Sequence, residues 1–475
     1  MELLIPLDPQ EKKPLYEQIY AHIRGEIRSG GLKAGDRLPS TRILAEHMKI
    51  SRSTAQMAYD QLLAEGYIEA RPYRGYFVNP VEELMETGPA GGEEMETALP
   101  EPSPWSVDFS PRGIDLESFP YGVWRKLSRN TLVDDNKEMF HSGSHQGEPG
   151  LREAIRSYLH SARGVLCSAE QIIVGAGSEY LLMLLAQILG GGRTIAMENP
   201  TYRQAYLVFR SLGYQVCPVE MDENGMDPDQ LKASGADVAY VMPSHQFPTG
   251  IVMPVGRRQE LLKWAADGRY LIEDDYDSEF RYRGKPIPAL QGMDRSGRVI
   301  YLGTFSKCIA PAIRVSYLVL PPKLLKRYRE QAGFYASTVS RIDQNILYQF
   351  LAQGYFERHL NRMRAIYKAK HDLFLEAIQP LQPLFEIRGE YAGIHILLTS
   401  RTGIPEETLI ARAEAAGVKV YGLSGYFIHP EHNRRPGTIV LGYACLSEEE
   451  ILRGAGLLKE CFLGKPVGGD ADLVR

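Results

Sequence analysis

Apolar residues recur every fourth position near the start of the chain and in short unbroken runs through its body, and these two rhythms divide it into parts. In "PLYEQIYAHIRGEIRSG", Leu15, Ile19, Ile23 and Ile27 stand four apart, which predicts an amphipathic helix closed by Gly30 and Gly31. Two short helical patterns follow: "LPSTRILAEHMKI", with Pro39 and Ser40 as turn and cap, and "SRSTAQMAYDQLLAEGYI", which starts at Ser51 and stops at Gly66. "IEARPYRGYFV" alternates as a two-stranded hairpin turning near Tyr73 to Gly75. Three helices and a hairpin outline a winged helix-turn-helix; a small three-helix bundle that binds a protein has the same outline.

From Val81 to Trp105 the rhythm stops. "VEELMETGPAGGEEMETALPEPSPW" holds seven Glu, with Gly and Pro and no Lys or Arg, so it cannot bury a core and predicts an extended acidic linker. Beyond it, "QIIVGAG", "TIAMENP", "DVAYVMPS", "YLIEDDYD", "RVIYLGTFSK" and "SYLVLP" are apolar runs that end in polar residues and alternate with helical stretches. Such runs are fully buried strands of an α/β fold with a largely parallel sheet, whose ligands gather at the strand ends. The expected division is a reader at 1–80, a linker at 81–105, a large α/β body at 106–465 and a tail at 466–475.

Composition narrows the class. A chain of 475 residues exceeds the roughly 250 to 300 residues at which single cores stop growing, so several folding units are expected. The longest apolar segment, Tyr180 to Leu189, suits a buried helix and is too short for a membrane span. The opening "MELLIPLDPQEKK" lacks the basic and apolar regions of a secretion signal, and a cytoplasmic location is expected. The five cysteines, Cys167, Cys217, Cys308, Cys445 and Cys461, are scattered without a C-x-x-C pair, which points to reduced thiols and no zinc site. The net charge of −5 conceals an asymmetry: Lys12 to Pro80 carries 11 Lys and Arg against 7 Asp and Glu, and the remainder 43 against 52. A basic module on an acidic body suits contact with nucleic acid at one end only.

Three strand ends carry candidate chemistry. "GAGSEYLLMLLAQIL" joins a strand to a helix through glycines, leaving backbone N–H groups around Gly177 and Ser178 that suit a phosphate; a tight structural turn is the plain alternative. "EDDYDSEF" sets Asp274 and Tyr276 two apart among other acids. A metal site, surface acids, or a carboxylate and phenol for a pyridine ring and its hydroxyl are all open there. Lys307 stands in an apolar stretch beside Thr304 and Ser306, with Arg314 seven residues on; a nearby fixed cation lowers a lysine's proton affinity and makes it a better nucleophile. Together these are the parts needed to hold pyridoxal phosphate.

The segment "LPSTRILAEHMKISRSTAQMAYDQLLAEGYIEARPYRGYFV" resembles the GntR superfamily reader almost position for position. That resemblance implies double-stranded DNA as a partner, with Arg42 and Arg52 presenting cations and Ser51, Ser53, Thr54 and Gln56 on the leading turn of the recognition helix. Arg71 and Arg74 would flank a wing tip near the minor groove or the phosphates. "ENPTY", "PSHQFPTG", "EDDYDSEF" and "GTFSKCIAPAIR" resemble the fold-type I aminotransferases over about Val107 to Phe462. By that resemblance Lys307 forms the internal aldimine with pyridoxal 5'-phosphate, Asp274 pairs the pyridine nitrogen, Tyr276 meets the ring oxygen and Tyr202 stacks on the ring. Gly177, Ser178, Thr304, Ser306 and Arg314 would surround the phosphate, and Gln246 is placed among the cofactor contacts.

The two halves together resemble the MocR-type subgroup of GntR regulators, whose aminotransferase-like unit usually senses an effector. In "PSHQFPTG", Gln246 and Phe247 stand where aminotransferases tend to carry Asn-Pro, and in "GTIVLGYACLS" Val440 stands where an arginine often takes the substrate carboxylate. Arg203, Arg434 and Arg435 are possible substitutes. The expectation is a regulator, a homodimer by the resemblance, that senses an amine, an amino acid or the cofactor itself through Lys307. An active aminotransferase with an attached reader, and a cofactor-free DNA-binding scaffold, are the alternatives.

Overall fold

The computed structural model describes residues 5–8, 13–80, 104–132, 137–282, 287–389, 392–430 and 436–464. The expected linker lies outside the described residues except for Pro104 and Trp105, as do Arg434, Arg435 and the tail 466–475. The chain divides into two compact units, Met1–Pro102 and Ser103–Arg475.

The first unit runs α1 (Leu15–Arg28), β1 (Arg37–Leu38), α2 (Thr41–Met48), α3 (Arg52–Ala64), β2 (Ile68–Arg71) and β3 (Gly75–Val78). Three of the four periodic residues of α1, Ile19, Ile23 and Ile27, are buried with Leu44, Ala55, Tyr59 and Leu62 in one cluster, while Leu15 is half-buried. Both later helices are capped by serine. Ser40 Oγ accepts the Ile43 N–H at 3.2 Å and Ser51 Oγ accepts the Thr54 N–H at 3.1 Å, which satisfies amides that a helix start leaves without intrahelical partners. Between α2 and α3 the chain turns through Lys49, whose φ is 52°. The hairpin closes with Arg71 opposite Gly75, and Tyr73 at its tip takes a φ of 60°. The two-residue β1 adds to it, Arg37 opposite Phe77 and Leu38 opposite Tyr76, giving a three-stranded wing in the order β1-β3-β2.

The second unit contributes β4 (Val107–Asp108), β5 (Ile172–Gly175), β6 (Thr194–Asn199), β7 (Gln215–Asp222), β8 (Gly225–Met226), β9 (Val238–Val241), β10 (Tyr270–Asp275), β11 (Val299–Thr304) and β12 (Ser316–Val319). An eight-stranded sheet has the order β5-β12-β11-β10-β9-β6-β7-β8. The six strands expected from the apolar runs are all present in it. The sheet is mixed: β12 runs antiparallel to both β11 and β5, and β8 antiparallel to β7. Between Tyr180 and Leu189 the apolar segment is a helix, as expected, with Leu181, Leu182, Leu185 and Ile188 fully buried against the sheet. A smaller antiparallel sheet follows from β13 (Phe385–Arg388), β14 (His395–Ser400), β16 (Tyr421–Gly422) and β17 (Thr438–Gly442), in the order β13-β14-β17-β16, while β15 (Val418–Lys419) pairs in parallel with β4. The fold is α/β with a helix-turn-helix unit before it. Among the described residues no helix is long and apolar enough to cross a membrane.

Candidate functional site

The carboxyl ends of β10 and β11 and the start of the helix Ser178–Leu189 open onto one cavity of about 270 Å³. Ser178, Tyr202, Asp274, Tyr276, Thr304, Ser306, Lys307 and Arg314 all line it, although they stand far apart in the sequence. Parallel pairing brings them together: β10 and β11 lie side by side in register, Asp274 opposite Leu302, so the residues that follow each strand emerge at the same edge.

Lys307 follows β11 and donates its Nζ to the backbone carbonyl of Arg112 at 2.8 Å. Burial pushes its amine down to about 8, opposed by the Asp277 carboxylate and aided by the Arg112 cation. A proton is therefore easily lost near neutral pH, which is what a nucleophilic amine needs. The sequence suggests a fixed cation for this purpose; the structure makes burial the larger cause and Arg112, not Arg314, the contributing cation.

Asp274 is only 5% exposed, and among the described residues its carboxylate is hydrogen-bonded only by the Tyr240 hydroxyl. Burial raises it to about 7, with the Tyr240 bond opposing and the Asp275 and Asp277 charges adding to the rise. Such a carboxylate is poised to accept a cationic N–H. The Tyr276 hydroxyl lies 2.9 Å from His245 Nδ1, which is itself 2.9 Å from Asp277, so the phenol is held by a buried pair behind the cavity wall. Tyr202 forms another wall, its hydroxyl 3.4 Å from Glu179.

At the other end, Arg314 pairs with Glu179 at 3.0 Å beside the first turn of the helix Ser178–Leu189. Gly177, at φ 94°, caps that helix, and a Cβ there would lie 2.4 Å from Arg314 Nη2. The positive φ favours glycine there, and its bare Cα lets Arg314 come close. Thr304 Oγ1 accepts both the Ser306 N–H (3.1 Å) and the Ser316 hydroxyl (2.8 Å), which fixes the turn carrying Lys307. A 12-residue helix start, hydroxyls and a guanidinium make an end suited to a phosphate. The donor set fits pyridoxal phosphate: an amine, a buried carboxylate without a cation on it among the described residues, aromatic walls and an anion-binding end.

Gln246 is placed differently from the others. Its Nε2 donates to Pro200 O at 2.8 Å and its Oε1 accepts the Thr249 N–H at 3.0 Å, so the amide ties its own loop to the turn after β6. Its neighbour Phe247 lines the cavity instead. Arg203 donates to Gly425 O at 3.1 Å and does not line the cavity, and Val440 is fully buried in β17. Among the described residues there is no group of three His, Cys, Asp or Glu able to hold a metal.

On the first unit, Arg52 and Ser53 are exposed at the start of α3, and Thr54 and Gln56 are half-buried. Ser51 Oγ is the cap and also contacts Ser53 Oγ (2.7 Å) and Thr54 Oγ1 (2.8 Å). Gln56 donates to Asp60 at 2.7 Å, Arg42 pairs with Glu46 at 3.2 Å, and Arg71 pairs with Glu69 at 2.7 Å while stacking over Phe77. These exposed ion pairs are weak and exchange readily for phosphate contacts. Arg74 and the fully exposed Tyr73 stand at the wing tip.

The family "Bacterial regulatory proteins, gntR family" matches residues 15–78, and "Aminotransferase class I and II" matches residues 117–403. An uncharacterized HTH-type transcriptional regulator of Bacillus subtilis, YdeL, is 39% identical over 94% of this chain and 97% of its own. The probable rhizopine catabolism regulatory protein MocR of Rhizobium meliloti is 33% identical over 99% of this chain and 98% of its own. This chain belongs to the MocR-type GntR regulators. Among solved structures, a multiple substrate aminotransferase from Thermococcus profundus superposes with a TM-score of 0.68 at 27% identity, over 76% of this chain and 92% of that one.

Sequence reading passed over several groups that the regulator's cavity uses. Arg112 and Glu179 line it, and Tyr240 and His245 hold Asp274 and Tyr276 from behind. Glu179 carried a signal, an acid in the first turn of a helix that opens on a candidate anion site. Arg112 carried none, because its segment reaches the cavity only through long-range packing.

Proposed function

We propose that this MocR-type regulator senses an amine, an amino acid or the cofactor itself through pyridoxal phosphate held on Lys307, and passes the difference to DNA. When bound, that cofactor supplies an aldehyde able to take an amine. Lys307 would hold it, Asp274 would keep the ring nitrogen protonated, Tyr276 would meet the ring oxygen, and Tyr202 would face the ring. Ser178, Thr304, Ser306 and Arg314 would bind the phosphate, with Gly177 leaving room for the arginine. An effector that competed with Lys307 for that aldehyde would leave the lysine free to take a proton at the sheet edge, which would give the two states the differential binding a switch requires. The observation that carries this reading is the convergence of a readily deprotonated lysine, a buried carboxylate and an anion-binding helix start on one cavity.

The regulator works as a homodimer in the cytoplasm, with the acidic segment 81–105 joining reader to sensor. Its operator is read by Arg42, Arg52, Ser53, Thr54 and Gln56, with Ser51 fixing the helix start and Arg71 and Arg74 at the wing. Arg52→Ala is expected to weaken operator binding by about 1 to 3 kcal/mol at fixed salt if the guanidinium reads a base. Equal operator affinity of variant and parent removes Arg52 from the interface.

The test of the central reading is direct. Purified protein incubated with pyridoxal phosphate should gain the visible absorbance of a protein-bound imine, and borohydride should fix the adduct on the peptide containing Lys307. Colourless protein with no fixed adduct ends the reading. The lowered amine of Lys307 also suits proton transfer, so sustained turnover with a keto acid would support an aminotransferase instead.

A further inference from the structure

Three cations line the cavity among the described residues, and two of them are engaged. Lys307 donates to the Arg112 carbonyl at 2.8 Å, and Arg314 pairs with Glu179 at 3.0 Å. The Arg112 guanidinium has neither a hydrogen bond nor an ion pair among the described residues. Its charge is felt by Lys307, Tyr202 and Tyr426, whereas Arg314 stands by Gly177 and Glu179 at the helix start. The two arginines therefore serve different ends of the cavity, Arg314 the anion-binding turn and Arg112 the side where the lysine amine lies.

The segment that carries Arg112 is fixed on both sides. Phe109 O accepts the Gly442 N–H at 2.9 Å, and the chain lies so close to β17 that a Cβ on Gly442 would sit 2.2 Å from Ser110 O. On the far side the Asp115 carboxylate is buried in an ion pair with Lys370 at 2.9 Å, and its N–H donates to the Tyr367 hydroxyl at 3.0 Å. With the backbone held on both sides, the ordering that a ligand requires is confined to the Arg112 side chain. The strand beneath, β17, gives the cavity no lining residue, and the segment crossing over it supplies the cation.

We propose that Arg112 selects the effector through an acidic group, so that the signal is a short amino acid whose carboxylate reaches this guanidinium while its amine lies at Lys307. The proposal rests on the reading of Lys307 as the cofactor lysine. A guanidinium takes a carboxylate through two parallel hydrogen bonds, and a simple amine forgoes both. Because Lys307 Nζ touches the carbonyl of the same residue, amine and carboxylate are separated by no more than one arginine side chain, which confines the effector to short chains.

The experiment is calorimetric titration of cofactor-loaded protein with glycine, β-alanine and 4-aminobutanoate, each compared with propylamine, for the parent, Arg112→Gln and Arg112→Lys. At least one amino acid should bind the parent about ten- to a hundredfold more tightly than propylamine. Arg112→Gln should erase that preference with propylamine binding unchanged, and Arg112→Lys should keep part of it. A parent without preference for the acidic ligands, or Arg112→Gln with the parent's preference, overturns the proposal. Borohydride fixation separates the causes: an adduct at Lys307 in both proteins leaves the cofactor reading standing whatever the titrations give. An adduct lost only in Arg112→Gln would make Arg112 a cofactor ligand and overturn the selection, and no adduct in the parent would end the Lys307 reading itself.

Discussion

Lys307→Ala is expected to eliminate the borohydride-fixed adduct completely and, with it, every amine-dependent change in DNA affinity, while basal DNA affinity remains measurable. Lys307 is the only lysine lining the cavity among the described residues. Its loss removes the attachment point, and without a difference between ligand states no coupling free energy, typically about 1 to 3 kcal/mol, can pass to the DNA. The reader has its own core, a cluster drawn from Ile5 to Val78, so its recognition helix stays formed. Nor should the variant unfold. Burial holds the Lys307 amine down to about 8, so the charged side chain is kept at a cost to stability that alanine does not carry. A gel-shift titration of parent and variant, each with and without pyridoxal phosphate and amine, checks this, and an unaltered amine response in the variant contradicts it.

Such a test can be aimed at one position because the cavity was plainly written in the chain. Asp274, Tyr276 and Lys307 each follow an apolar run, and a buried parallel strand can end only at the sheet edge where its neighbours end, so strand ends in the sequence became cavity wall in space. The four-residue rhythm of α1 and the serine caps at Ser40 and Ser51 were equally legible, because helix geometry and capping are local. What stayed hidden was decided at long range. "SYLVLP" has the same burial in either direction, so nothing in it shows that β12 runs against both its neighbours. β7 mixes exposed, half-buried and buried residues and contains Pro218, which masks its rhythm.

Side-chain direction was the other hidden quantity. Tyr240 reads as one more apolar strand residue, and its hydroxyl becomes a partner of Asp274 only through the register of β9 and β10, which sets Tyr240 opposite Ile272, two residues before the aspartate. Gln246 has the polarity a cofactor contact needs, and its amide is bonded to Thr249 and Pro200. Arg112 looks like any loop arginine until Ser110 and Pro111 settle on Gly442. Local patterns place backbone and strand ends; which polar atoms face a cavity depends on neighbours that the sequence lists far away.

Asp274→Asn is expected to move stability and cofactor retention in opposite directions. The carboxyl is raised from 3.8 to about 7, above all by burial, so the folded chain holds that proton more tightly than the unfolded chain does. The sign follows from linkage: stability falls as pH rises from about 4 to about 7, since over that window folding must retain a proton the unfolded chain has released. Asparagine keeps the size and can still accept the Tyr240 hydroxyl bond, but has no charge to bury. Cofactor-free variant should therefore be more stable than parent at pH 8, by roughly 4 kcal/mol, and equal to it near pH 4. With pyridoxal phosphate the order reverses, because an amide cannot compensate a protonated ring nitrogen. Losing one member of a buried charge pair costs about 3 kcal/mol, on the order of a hundredfold in retention. Thermal melts of cofactor-free proteins between pH 4 and 8, together with equilibrium dialysis against pyridoxal phosphate, read both quantities. Parallel melting curves for the two proteins across that range would show that burial does not raise this carboxyl, and unchanged retention would place the ring nitrogen elsewhere.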